Sequence, residues 1–343
     1  MVVTSRRKFG LRGGLLLDLN VLEPDAAVRL LRDLGVAGEE DLARLAAACG
    51  RLPLALRVAA AFLRNHPDWT LAEYLEALER ARLERLREEG EGDVAAVLGL
   101  SLERLEEERP ELARRWRLLA VMPAPFDRAM AAAVWETDAA IARDSLSELV
   151  RWSLVAYDGD TGLYRLHDLL RELAGEPEAE VERRHAFWVL QQADEADDRF
   201  KRGDLSGLAR FDLLWPHLEV AWARLRDADD EDARRWLRDF GWAFPHLLAL
   251  RATPGQRIPY LRRGVAAARA LGDKGAEGVL LGNLGNAYAA LGGWRRPSGI
   301  TSRPWPSIVR LATGGARGIM PGIWDWLWRS RGGMPRPRGS CAS

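Results

Sequence analysis

The amino-acid sequence predicts a mainly α-helical fold divided into several domains. Apolar residues recur at helical spacing from Glu39 to Glu89, and again from Pro177 to Leu291. Between these stretches, four helical patterns precede two short apolar segments that flank a turn rich in Asp and Gly. With 343 residues, of which 48% are hydrophobic, the chain is long enough to form two or three buried cores.

Charge and composition argue against several classes of protein. The 50 Lys and Arg residues balance the 50 Asp and Glu residues, so no overall field attracts the chain to nucleic acid or to an acidic membrane. We find no apolar run long enough to span a bilayer and no secretory leader, and we therefore expect a cytoplasmic protein. Cys49 and Cys341 are too few for a disulfide framework or a thiolate-rich metal site. We predict no metal site.

The first part of the chain, residues 1–38, has the pattern of a domain edge. Met1 to Thr4 is a short β-like segment, and Leu15 to Leu22 alternates enough to form a second strand. Pro24 then lies near the first turn of a helix that runs toward Leu34. Two strands are too few for a parallel sheet, so we expect that the rest of this domain is missing.

Residues 39–92 form a predicted small helical domain. Gly50 and Pro53 separate its first two helices, and Gly90 and Gly92 mark a linker at its end. Residues 93–174 follow as a predicted winged-helix domain, because three or more helices precede a hairpin. Its predicted elements are helices at Val94–Leu105, Pro110–Leu119, Asp127–Val134 and Ile141–Trp152, and strands at Leu154–Tyr157 and Leu163–Leu166.

Residues 175–296 are predicted to form helical hairpins rich in Trp and Leu. The small residues of the segment Gly282 to Tyr288 resemble the first helix of a tetratricopeptide repeat, in which Gly and Ala let two helices approach closely. One such repeat cannot close a solenoid core, so we expect further helices to pack against it.

The last segment, residues 297–343, has no periodicity and is rich in Gly, Pro, Ser, Arg and Trp. One interpretation is a disordered tail. We favour the hypothesis that it is an out-of-frame translation of further repeats. Ala312 to Arg317 matches a one-base shift of a typical repeat linker, and it lies about one repeat length after Gly272.

Three ordered motifs resemble one protein family. Cys49 to Leu56 is similar to a Gly-Leu-Pro-Leu-Ala motif, Val2 to Arg6 is similar to a sensor strand that ends in Thr-Ser-Arg, and Leu166 to Asp168 is similar to a Met-His-Asp motif that follows a wing hairpin. From Met1 to Ala174 the chain therefore resembles the NB-ARC signal-transduction ATPases, a class of STAND proteins, in the form found in bacterial transcriptional regulators. The resemblance implies that residues 1–38 are the edge of an α/β NTPase domain.

The resemblance also implies a nucleotide site built from several domains. It places Ser5 and Arg6 at the sensor for the terminal phosphate, Pro53 beside the adenine, and His167 in a hydrogen bond with the β-phosphate of ADP. Each has a simpler alternative: Arg6 as a solvated cation, Pro53 as a helix start, and His167 as a helix cap or core hydrogen bonder. For Asp168 we favour the role of capping the next helix.

The sequence departs from the family at the phosphates. It contains no Gly-x-x-x-x-Gly-Lys-Ser/Thr loop and no apolar strand that ends in paired acids for magnesium. ADP or ATP with Mg is thus the cofactor of the intact family, whose members are slow ATPases. We expect this chain to be a truncated fragment that binds neither tightly and is not an enzyme.

Two other functions remain open. A winged-helix transcriptional regulator would read DNA through Ile141–Trp152, but Asp144 and Glu148 offset Arg143 and Arg151 there, so direct nucleic-acid binding is disfavoured. A pure helical-repeat scaffold would bind a protein through residues 175–296. We expect a protein partner or intramolecular domains on these helices, no membrane contact, and a nucleotide-driven oligomer of the intact protein. We predict structural roles for the other histidines, His66, His185, His217 and His246.

Overall fold

The computed structural model describes residues 21–88 and 93–291, and over these residues the fold is mainly α-helical, as predicted. The described part contains the following α-helices: α1 Pro24–Asp33, α2 Leu42–Ala48, α3 Pro53–Asn65, α4 Leu71–Glu88, α5 Asp93–Glu108, α6 Pro110–Leu118, α7 Arg128–Trp135, α8 Ala139–Arg151, α9 Asp168–Ala174, α10 Ala179–Lys201, α11 Ser206–Leu225, α12 Glu231–Phe240, α13 Pro245–Arg251, α14 Pro254–Ala270 and α15 Lys274–Ala290. One hairpin, of strands β1 (Ala156–Asp158) and β2 (Leu163–Arg165), lies between α8 and α9.

Contacts divide the described residues into two units. The first unit contains the residues up to 120 together with 138–175, and the second contains 121–137 together with the residues from 176 onward. Helix α7 therefore belongs with α10–α15, although it lies between α6 and α8 in the sequence. The boundaries predicted from the sequence at residues 38, 92, 174 and 296 stay predictions.

The first four helices share a core of leucine and aromatic side chains. Helix α3 buries every residue from Ala55 to Phe62 except Arg57, and α1 packs on both α2 and α3. The ring of Phe62 lies 4.8 Å from that of Tyr74 on α4 and 5.2 Å from that of Trp69. Burying a side chain of this size contributes roughly 1.5–3 kcal/mol, so these rings stabilise the α3–α4 pair.

A tight turn connects α2 to α3. Gly50 and Arg51 have φ values of 58° and 55°, in the left-handed region. They reverse the chain before Leu52, which is extended, and Pro53 then begins α3. Proline suits this position because its ring fixes a helical φ and the first N–H of a helix needs no partner. The carbonyl of Arg51 accepts a hydrogen bond of 3.0 Å from the N–H of Leu22, which ties the residues before α1 to this turn.

The other part of the first unit is built around α6, which contacts α5, α8 and α9. Its Trp116 is fully buried. In the hairpin, Tyr157 pairs with Tyr164, and the carboxylate of Asp158 accepts hydrogen bonds from the N–H of Asp160 and the hydroxyl of Thr161. The predicted α5, α6, α7, α8 and hairpin are confirmed as elements, with ends that differ by a few residues from the prediction.

After α7, the second unit continues with the long hairpin of α10 and α11. The two helices approach closely at Gly207, where an added Cβ would lie 2.3 Å from the carbonyl oxygen of Ala196. Helix α12 packs on α14, and α14 packs on α15. The ring of Phe240 makes edge-to-face contacts with the rings of Phe244 and Tyr260, each at a centroid distance of 5.1 Å. Helices α10–α15 confirm the helices that the sequence predicted after residue 175, as far as the structure describes them.

Candidate functional site

Two of the four predicted site residues can be located. Ser5 and Arg6 lie outside the described residues. Pro53 is the exposed first residue of α3, directly before the buried side chains of Ala55 and Leu56. Pro53 therefore starts the helix, as its simpler alternative role required, whereas its place beside an adenine stays a prediction.

His167 lies at the junction of β2 and α9, where it caps the helix. Its backbone is extended, with φ of −67° and ψ of 146°, and its Nδ1 accepts a hydrogen bond of 3.3 Å from the N–H of Leu169. The flanking Leu166 and Leu170 are buried and fix the two sides of the junction, while the imidazole itself is exposed. A helix cap is one of the alternatives that the sequence allows for His167, and the structure places the imidazole in this role.

The cap determines the chemistry that His167 presents to solvent. A neutral imidazole has one N–H and one bare nitrogen. Because Nδ1 accepts from the backbone, the proton of the neutral ring is on Nε2. The exposed edge of His167 is therefore a hydrogen-bond donor, which is the polarity that a phosphate oxygen requires.

The prediction that Asp168 caps the following helix is wrong. Helix α9 begins at Asp168 itself, so the capping position falls one residue earlier, on His167. The carboxylate of Asp168 instead forms an ion pair with Arg171, one turn further along the helix. A carboxylate in the first turn still interacts favourably with the helix dipole.

Two surface cavities lie in the first unit. One, of about 420 Å³, is bordered by the α5–α6 junction and by α8. The other, of about 400 Å³, is bordered by the loop at 35–38 and by the end of α3 with the start of α4. Neither is lined by Pro53 or His167. The structure therefore does not bring these two residues together in one of these cavities.

Helix α8 is the predicted recognition helix of the winged-helix interpretation, and two of its carboxylates are paired with arginines. Arg143 bonds to Asp144 at 2.8 Å, and Arg109 reaches Glu148 at 2.6 Å from both carboxylate oxygens. Phosphate binding needs cationic groups that can exchange counterions for phosphates. Here the carboxylates compete for the same guanidinium groups, as the sequence predicted for Arg143.

The structure confirms structural roles for histidines that the sequence showed only as scattered residues. His66 contacts the carbonyl of Phe62 at 2.8 Å and the carboxylate of Glu108 at 3.2 Å. His246 contacts the buried Asp197 at 3.0 Å. The carboxylate partners Glu108 and Asp197 are more than 40 residues away in sequence, so no local spacing could have revealed them. Among the described residues, no cluster of three or more His, Cys, Asp or Glu side chains could hold a metal ion.

His185 and His217 form a buried hydrogen-bonded pair in which burial lowers the pKa of both rings. His185 Nε2 lies 2.9 Å from His217 Nδ1. Burial is the largest cause that lowers the pKa of His185 well below its ordinary value, followed by His217 and Arg224. Burial also lowers the pKa of His217, to about 4. Both rings are therefore neutral near pH 7.

No known family model matches the sequence. The chain is similar to the regulatory protein AfsR of Streptomyces griseus, with 40% identity over 179 residues, and to the regulatory protein AfsR of Streptomyces coelicolor, with 39% identity over 181 residues. Each alignment covers 50% of this chain and 18% of the relative. The chain thus spans about a fifth of the length of these bacterial regulatory proteins. Of the described helices, none has the length and hydrophobicity that a bilayer crossing demands.

Proposed function

We propose that this chain is the switch segment of a bacterial transcriptional regulator, in which an ADP or ATP phosphate contacts His167 and a protein partner contacts the helices of residues 175–291. The likeness to two regulatory proteins supports the general role. The motif at Leu166 to Asp168 and the turn that leads into Pro53 support the nucleotide-dependent part.

The exposed Nε2–H of His167 is the observation that carries this proposal. The cap at Nδ1 fixes the tautomer before any ligand binds, so donation to a phosphate oxygen needs no proton rearrangement. Helix α9 packs on α6, so a ligand held at His167 is coupled to the packing of the first unit. A ligand with different affinities for two arrangements of these helices would shift their populations.

Catalysis is not part of the proposal. The sequence has neither the glycine–lysine loop that cradles phosphates nor paired acids for Mg. The nucleotide, its metal and a nucleotide-driven oligomer would belong to a longer protein of the kind that the relatives represent. The contribution of this chain would be to sense the bound phosphate and to pass the result to its own helices.

Two variants of His167 test the nucleotide contact in a longer protein of the kind that the relatives represent. His167→Asn keeps a side-chain acceptor at the capping position but lacks the ring Nε2–H, whereas His167→Ala loses both. We expect both variants to bind ADP at least tenfold more weakly by calorimetry, because a hydrogen bond to a charged group contributes about 1.5–3 kcal/mol. Only His167→Ala should also lose about 1 kcal/mol of stability. Unchanged ADP affinity in His167→Asn would refute the contact.

The second candidate is direct DNA binding through α8, which is favoured by the order of helices and hairpin and by the likeness to regulatory proteins. It makes a separate prediction for the chain as it stands. Duplex DNA should then bind with an affinity that falls steeply between 50 and 200 mM salt, on the order of 10³-fold for six phosphate contacts. Binding of that kind, weakened by Arg143→Gln and Arg151→Gln, would favour this candidate over the nucleotide switch.

A further inference from the structure

Residues 121–137 have an unusual position in the chain. Residues 120 and 138, on either side of this segment, both belong to the first unit, yet the segment itself belongs to the second. Helix α7 within it packs on α10. Release of this segment from α10 and α11 would therefore free residues 121–137 as a loop between residues 120 and 138.

Arginine side chains hold both ends of α7. At its C-terminal end, Arg184 of α10 donates to the carbonyl oxygen of Val134 at 2.6 Å and pairs with Glu136 at 3.0 Å. At its N-terminal end, Arg210 of α11 pairs with Asp127. Asp127 also caps α7, because its carboxylate accepts from the N–H of Met130 at 2.9 Å. These polar contacts lie at the two ends of α7, which packs on α10 between them.

A histidine relay forms a third attachment. His217 of α11 lies with Nε2 3.1 Å from the carbonyl oxygen of Pro125. A carbonyl only accepts, so this nitrogen carries the proton and His217 Nδ1 is bare. His185 of α10 then donates from Nε2 to that bare nitrogen across 2.9 Å. The remaining nitrogen, His185 Nδ1, is buried and has no hydrogen-bond partner among the described residues.

An added proton has no favourable place in this relay. On His217 Nδ1 it would face the N–H of His185, so that two donors would meet. On His185 Nδ1 it would leave a buried positive charge without an acceptor, which is costly. Among the charged neighbours, Arg224 disfavours protonation of His185 and Arg210 disfavours protonation of His217, whereas Asp127 favours the latter. Glu182 of α10 is paired with Arg224 at 3.0 Å.

We propose that residues 121–137 form an acid-releasable latch, in which protonation of the His185–His217 pair detaches this segment from α10 and α11 while α12–α15 stay folded. The latch does not depend on the nucleotide or on the proposed function. It would lengthen the free chain between residues 120 and 138 in response to acid, and the neutral relay would hold the segment in place near pH 7.

The pH dependence of docking can be worked out from the pKa of His217. Its pKa is about 4 in the docked state, and its ordinary value is 6.5. The released state binds the proton more tightly, so docking is fully favoured above pH 6.5 and is lost as the pH falls toward 4. Between pH 7.5 and pH 5 the ratio of released to docked segment should rise about 30-fold from His217 alone. Burial of His185 acts in the same direction.

Hydrogen exchange of the full chain, followed by mass spectrometry between pH 7.5 and pH 5, measures this ratio. We expect protection of the amides of α7, corrected for intrinsic exchange rates, to fall at least 30-fold over this range. Amides of α14 and α15 should keep their protection. Loss of protection in α7 only together with α14 and α15 would overturn the proposal, because the segment would then open by general unfolding.

The double variant His185→Gln, His217→Gln separates protonation from other causes. Glutamine can donate to the carbonyl of Pro125 and accept along the relay, but it does not titrate in this range. In the double variant the amides of α7 should have equal protection at both pH values. The control is His246→Gln, at a half-exposed histidine of the same unit, which should show the same pH response as the unaltered chain. An unchanged pH response in the double variant would overturn the latch.

A second measurement uses the unaltered chain and does not depend on a variant that folds. Ring carbon signals of ¹³C-histidine-labelled protein, followed from pH 7.5 to pH 4, should show two imidazoles that stay neutral until α7 loses protection. Two buried histidines that titrate near pH 6.5 while α7 remains protected would also overturn the proposal.

Discussion

Asp197 provides a demanding test of how the second unit is held together. Its carboxylate, on α10, is completely buried. It accepts hydrogen bonds from the N–H groups of His246 and Leu247, at 3.1 and 2.8 Å, and from His246 Nδ1 at 3.0 Å. Lys201 lies 3.3 Å away. Asp197 therefore caps the first turn of α13 from a distant helix, because the residue before α13, Phe244, has no side chain that can do so.

The cost of removing this carboxylate can be worked out from its contacts. In Asp197→Ala, the buried N–H of Leu247 loses its partner, which costs about 1–3 kcal/mol. The hydrogen bonds that Asp197 accepts from the N–H and the Nδ1 of His246 are lost as well, so we expect a total of about 3 kcal/mol. Asp197→Asn keeps an acceptor for the two N–H groups and should cost about half as much. Asp198→Ala is the matched control, because its exposed ion pair with Lys201 contributes about 0.5 kcal/mol.

The assay must report on the second unit rather than on the whole chain, because two units need not unfold together. Hydrogen exchange of the amides of α13 in dilute urea gives the local free energy of opening for each variant. The expected order is Asp198→Ala nearest to the unaltered chain, then Asp197→Asn, then Asp197→Ala. If Asp197→Ala opened α13 no more readily than Asp198→Ala, a capping role for this carboxylate would be refuted.

Three further outcomes follow from close packing and from burial. Gly207→Ala should lower the free energy of unfolding by about 3 kcal/mol, measured by denaturation, because the new Cβ would collide with the backbone carbonyl of Ala196. Gly282 on α15 has open space around it, so Gly282→Ala should raise the free energy of unfolding by about 0.5–1 kcal/mol. A loss from Gly282→Ala as large as that from Gly207→Ala would contradict this account. Burial, and secondarily Asp198, raise the pKa of Asp194 to about 6. The stability that Asp194 contributes is thus present below pH 4 and is lost as the pH rises through 6. Asp194→Asn should therefore raise the free energy of unfolding at pH 7.5 by about 1 kcal/mol, a value discounted for solvent screening, and should have no effect at pH 4.

The helices and the hairpin were predictable because their signals are local. Pro24, Pro53 and Pro110 mark helix starts, and the Asp- and Gly-containing turn marks the hairpin. The contacts that hold α7 were not predictable in this way. Arg184 and Val134 are 50 residues apart, and Arg210 and Asp127 are 83 residues apart. An Arg in an amphipathic helix usually faces solvent, and nothing in its local sequence distinguishes a side chain that clamps another helix.

The candidate site shows the same limit at a single residue. The motif at Leu166 to Asp168 identified the junction, but the sequence favoured Asp168 as the cap because Asp is a preferred residue there. The structure starts α9 one residue earlier than that assignment required, since the buried Leu166 and Leu170 fix the phase of the helix. Capping then falls to His167. A shift of one residue thus exchanged the roles of two polar side chains.

That exchange bears on how a ligand could act at His167. Helix α9 has only seven residues, so the cap, of about 1 kcal/mol, is a large share of what holds its first turn. A ligand that bound Nδ1 in place of the N–H of Leu169 would remove the cap and loosen α9. A ligand that accepts a hydrogen bond from Nε2 would leave the cap in place and hold the imidazole more firmly. Because α9 packs on α6, the two kinds of ligand would have opposite effects on the first unit. Only an acceptor such as a phosphate oxygen stabilises the arrangement in which the cap is made, and in that arrangement the protein already presents the donor that a phosphate needs.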